Sequence, residues 1–124
     1  MNNTELLEKH RAQSRHYLEN AYKFIDAGDV EKASEFLWGS MAQAIKAVAP
    51  IKGIPLKKHR QLWDYAESLA KELGDDSIFD SFFHANSLHS NFYECELELK
   101  DVIRVAQEVS STVNELLELL PKGS

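Results

Sequence analysis

The chain has 124 residues, 44% of them hydrophobic and 27% charged, with a formal net charge of -6. That length suits one domain, residues 1–124, able to bury roughly two-thirds of its unfolded surface, so neither a disulfide nor a metal is needed for folding. The acidic balance excludes a global nucleic-acid footprint, so any anion-binding surface must be local.

The first predicted helix runs from about Thr4 to Ala27, capped by Asn2 or Thr4. Leu6, Leu7, Tyr17, Leu18, Ala21, Phe24 and Ile25 give it one apolar face at helical spacing. Gly28 stands where a C-terminal glycine cap belongs, and Asp29 is the N-cap of a second helix, Val30 to Ala49. So short a connection makes the two antiparallel neighbours. No charged residue occurs from Phe36 to Ile45, and a helix apolar on most sides belongs at the centre of a bundle. Gly39, Ser40 and Ala44 are small enough to admit a close neighbour. Pro50 stops the helix because it cannot continue the hydrogen-bond ladder.

After a loop, Ile51 to Pro55, a third helix spans about Leu56 to Leu73, with Leu62, Trp63, Ala66, Leu69, Ala70 and Leu73 facing inward and Gly74 as stop signal. Asp76 or Ser77 opens a fourth, with Ile78, Phe79, Phe82, Phe83, Ala85, Leu88 and Phe92 as its apolar set. Its pattern weakens around Asn91 to Glu96. The fifth runs to about Leu120, before Pro121. Its apolar residues Leu99, Val102, Ala106, Val109, Val113, Leu116 and Leu120 step by threes and fours, a heptad seam. The seam either packs along the bundle or joins two copies. The expected fold is therefore all-α, an antiparallel bundle of about five helices. The stretch Asn20 to Ala33 resembles the turn of a tetratricopeptide repeat, but nothing recurs about 34 residues later, so it reads as a helical hairpin.

Cys95 is the only cysteine, which excludes an intrachain disulfide. The N-terminus has neither a basic nor an apolar signal region, and no apolar run reaches a membrane span, so the expectation is a cytoplasmic protein with no membrane contact.

From the second helix onward the order of features resembles the HEPN family, the "higher eukaryotes and prokaryotes nucleotide-binding" domains, and most of all its small archaeal paREP-type branch. The residues that carry this are Glu35-Phe36-Leu37-Trp38-Gly39-Ser40 with Ala42-Gln43-Ala44-Ile45-Lys46-Ala47, His59-Arg60-Gln61-Leu62-Trp63, and Ala85 through Glu94. The resemblance implies a HEPN-like bundle that forms homodimers, and a nucleotidyltransferase-like partner where the protein belongs to a toxin–antitoxin pair. Many such relatives are ribonucleases, whose signature is an Arg followed roughly four to six residues later by a His. Others lack it and serve as accessory or nucleotide-associated proteins.

This chain departs from that signature. Upstream of His89, the positions that would carry the arginine hold Phe82, Phe83 and His84. Metal-independent RNA cleavage needs a base for the 2′-hydroxyl and a cation for the developing phosphate charge, and a histidine is cationic only part of the time near neutral pH. Arg11 and His16 have the right spacing but lie on the first helix, and a two-residue motif recurs by chance.

Two places carry candidate sites. His84, His89, Asn91, Tyr93 and Glu94 mark the end of the fourth helix. They form either a polar pocket for a base or phosphate, shared across a dimer, or a structural end in which His89 is buried and hydrogen-bonded. Lys52, Lys57, Lys58, His59 and Arg60 form the one basic cluster. It lies at the start of the third helix, the positive end of its macrodipole, where each cation costs about 0.3–1 kcal/mol unless an anion or acidic surface answers it. The histidine spacings offer no i, i+4 metal pair, and there is no phosphate-cradling glycine loop, nucleophile elbow or activated thiol, so no metal or cofactor is expected. Three functions remain: a non-catalytic dimeric module binding RNA, a nucleotide or a protein; a ribonuclease using His89 as base with His84 or Arg60 as phosphate partner; or a structural interaction module.

Overall fold

The computed structural model describes residues 2–53 (the Lys52 side chain excepted), 56–90 and 97–121. They form an all-α bundle of five helices: α1 (Asn3–Asp26), α2 (Val30–Val48), α3 (His59–Leu73), α4 (Asp76–Ser90) and α5 (Leu99–Glu118), with a 3-10 turn over Ala49–Lys52. There is no strand among the described residues.

Local chemistry sets most of the ends. The Asn2 side chain accepts the Glu5 amide at 2.8 Å, and Asp29 accepts the Lys32 amide at 3.1 Å, each satisfying an otherwise orphaned helix donor. Gly28 turns the chain with φ 73, a left-handed conformation that costs glycine little. One boundary differs from expectation. α3 begins at His59 and not near Leu56, because Lys58 is extended (φ -119, ψ 152). The Gln61 carboxamide oxygen, one turn inside the helix, accepts both the Lys57 and Lys58 amides at 2.8 and 3.0 Å.

α2 packs against every other helix, and its Leu37, Met41, Ala44 and Ile45 have no exposed surface. Burying each larger side chain contributes roughly 1.5–3 kcal/mol. The α1–α2 hairpin closes tightly through small residues. Ser14 and Ser40 hydroxyls each donate to the other's carbonyl at 2.8 Å. A Cβ on Gly39 would meet the Tyr17 ring at 3.0 Å. The heptad seam of α5 is filled from within the chain: Val102, Ala106, Val109, Val113 and Leu116 are fully buried against α2, α4 and α1. Those positions are therefore not left over for a second copy. Between them, Thr112 and Ser81 bond across α5 and α4 at 2.7 Å.

Two residues expected to face inward do not. Leu73 is 39% exposed and Phe83 47%. Leu73 is the last residue of α3, beside the turn at Gly74. Phe83 follows the fully buried Phe82 by one residue, about 100° round the helix, and so lies on the flank beside Trp63 and Phe79. Tyr65, outside the inward set expected for this helix, is buried.

Candidate functional site

A cavity of about 260 Å³ opens between α2 and the start of α3. Trp38, Ala42 and Lys46 stand one turn apart on α2 and form one wall; Leu56, Lys57, Lys58, His59 and Leu62 form the other. Three lysines and one histidine line it, and no carboxylate does. Its rim lies at the N-terminal end of α3, whose macrodipole adds partial positive charge. An anion is thus favoured there by side chains and backbone together.

Trp38 ties this cavity to the end of α4. Its ring stands 5.7 Å from the His59 ring and 6.1 Å from the His89 ring, nearly parallel to the latter at 15°. Behind it, Phe82 packs at 5.1 Å and is itself braced by Trp63 at 5.2 Å. The indole is therefore held by a buried aromatic floor while its surroundings are polar. The two places nominated from sequence, the start of α3 and the end of α4, meet at this one residue.

Not every nominated residue joins them. His89 is exposed, which corrects the reading of it as a buried structural histidine; it stacks on Trp38 at the surface end of the aromatic column. Arg60 turns away to Asp64, one helical turn on, at 3.0 Å, with 77% of its side chain exposed. His84 lies on a different face of α4, where its Nδ1 meets both carboxylate oxygens of Glu108 on α5 at 3.0 and 2.9 Å. Five residues separate it from His89, about 140° round the helix. Asn91, Tyr93, Glu94 and the Lys52 side chain lie outside the described residues. Arg11 and His16 do not converge either: Arg11 bonds Glu8 and the Pro121 carbonyl, and His16 contacts Asn20.

Lys46 is the charged cavity residue that reading the sequence overlooked. The signal was present: it is the first charge after the uncharged run of α2, and two turns from Trp38. Close by, His10 on α1 contacts the Gln43 carboxamide oxygen at 2.5 Å. Burial holds the His10 pKa below its ordinary value, Lys46 and Lys9 push the same way, and the bond to Gln43 opposes them. No group of three or more metal-ligating side chains occurs among the described residues, and no described helix is long and apolar enough to cross a membrane.

The model of the archaeal PaREP1/PaREP8 family matches residues 9–113. A crystal structure of a protein from Sulfolobus solfataricus has the same fold, with a TM-score of 0.75 at 23% identity, over 88% of this chain and 97% of that one. No curated protein matches.

Proposed function

This chain belongs to the archaeal PaREP1/PaREP8 family, and we propose that it is a HEPN-like, non-catalytic module that binds the phosphate of single-stranded RNA or of a nucleotide in the α2–α3 cavity. One observation carries the reading: Lys46, Lys57, Lys58 and His59 converge on a cavity walled by Trp38 and lined by no carboxylate, within a chain of net charge -6. Cations held together against the overall charge are stable with an anion between them. The adjacent tryptophan suits a base, because stacking on an aromatic ring tolerates any base.

The test is fluorescence anisotropy of a labelled single-stranded RNA and of a labelled nucleotide at low salt. The wild type binds, and Lys57→Glu with Lys58→Glu abolishes binding while circular dichroism stays unchanged. If neither probe binds the wild type, the anion reading fails and a protein-interaction module replaces it.

The ribonuclease alternative has less support. His84 is engaged by Glu108 on another face of α4, and Arg60 by Asp64, so neither stands with His89 as phosphate partner. RNA cleavage that disappears in His89→Ala would reinstate it. Homodimerisation is part of the proposal as well. A monomer by light scattering at tens of micromolar would remove any site shared between two copies.

A further inference from the structure

A second cavity, of about 390 Å³, lies between α4 and α5 and is lined by Leu88, Leu97 and Val105 with Ser87, His84, Asp101, Arg104 and Glu108. A mostly apolar wall with a few polar groups on its rim, at a volume in the range of roughly 300–1,000 Å³, is the usual form of a small-molecule site. Its rim carries charges of both signs, so the question is which of them is left to meet a ligand.

Glu108 is answered by His84, whose Nδ1 lies 2.9 and 3.0 Å from its two carboxylate oxygens. That contact also fixes the imidazole, leaving Nε2 as its other polar atom. Asp101 sits in the first turn of α5 and accepts the Glu98 amide at 3.4 Å, where the positive end of the helix favours a carboxylate. Arg104 has no ion pair or hydrogen bond among the described residues. Among the described residues the rim therefore presents one guanidinium with no ion pair or hydrogen bond, beside the free edge of a fixed imidazole, above an apolar wall. A planar guanidinium matches a carboxylate in two parallel hydrogen bonds.

We propose that the α4–α5 cavity is a binding site for a small amphipathic monocarboxylate, its carboxylate on Arg104 and its apolar body against Leu88, Leu97 and Val105. The site is separate from the α2–α3 cavity and shares no lining residue with it. The proposal therefore stands or falls apart from the phosphate reading.

The experiment uses octanoate as probe and octylamine as the control of equal tail and opposite charge. Titration of the full chain, followed by NMR of the methyl groups, should show octanoate shifting Leu88, Leu97 and Val105. Arg104→Gln should weaken octanoate binding by about tenfold or more, the loss of a charge-assisted pair, with circular dichroism unchanged. Lys57→Glu with Lys58→Glu should leave it as in the wild type. No methyl shift at millimolar octanoate would overturn the proposal. So would equal binding of octylamine, an unaffected Arg104→Gln variant, or loss of octanoate binding in the Lys57→Glu, Lys58→Glu variant.

Discussion

If the α2–α3 cavity and its rim hold an RNA backbone with one phosphate on each lysine, the salt dependence of binding should count those cations. Lys46, Lys57 and Lys58 are the three permanent cations lining it. For single strands each neutralised phosphate contributes a slope of about -0.7 to log affinity against log salt, so three contacts give about -2.1. Raising salt from about 50 mM to about 200 mM should then weaken binding about eighteenfold. Replacing one lysine by glutamine, as in Lys57→Gln, leaves two contacts and a slope of about -1.4, so the same salt step should cost only about sevenfold. Lys46→Gln should give the same reduction, although Lys46 lies on α2 and far from the others in sequence. Arg60→Gln should not, because Arg60 is turned to Asp64. The assay is anisotropy of a labelled RNA across a salt series for the four proteins. A wild-type slope near zero, or slopes that do not fall in the Lys46 and Lys57 variants, would refute the reasoning.

Three predictions concern the fold that carries the cavity. Gly39→Ala gains about 0.5–1 kcal/mol of helix propensity but sets a Cβ 3.0 Å from a Tyr17 ring packed on Phe36. Overpacking costs about 1–3 kcal/mol, so urea unfolding should show a net loss of about 1 kcal/mol; an equally stable variant would mean that Tyr17 swings aside freely. Tyr65→Phe should leave stability unchanged or raise it, because the buried Tyr65 hydroxyl has no hydrogen-bond partner among the described residues; a clear loss in thermal melting would show that the hydroxyl is bonded in solution. Burial holds His10 below its ordinary 6.5, so the unfolded chain binds the extra proton first as pH falls. Stability linked to neutral His10 is thus full above about 6.5 and declines as pH drops toward the folded value. His10→Gln should flatten the decline that sets in below about pH 6.5 in denaturant midpoints, and an identical pH profile would contradict the assignment.

Much of the fold was legible because the signals for it are local. Asn2 and Asp29 cap helices within three residues of themselves, and Gly28 and Gly74 take the left-handed turns at helix ends. The uncharged run of α2 reads directly as a central helix; the three-four steps of α5 read as an apolar stripe, and only the fold shows that it is filled from within the chain. Where the reading missed, the deciding contact lay a turn away or at an end. The start of α3 was moved by the reach of Gln61, and Leu73 was left exposed at the last turn.

The site divides in the same way. That Lys57, Lys58 and His59 are basic neighbours is a property of consecutive residues, and the sequence by itself determined it. That Trp38 lies between His59 and His89, that Lys46 joins the lysines just before α3, and that His84 and Arg60 face elsewhere were decided only by tertiary structure. Helical periodicity specifies which residues of one helix share a face, since each adds about 100° of rotation. It is silent on which faces of separate helices meet. That depends on how the helices cross, and here the crossing is set by the buried packing of α2 against all the others.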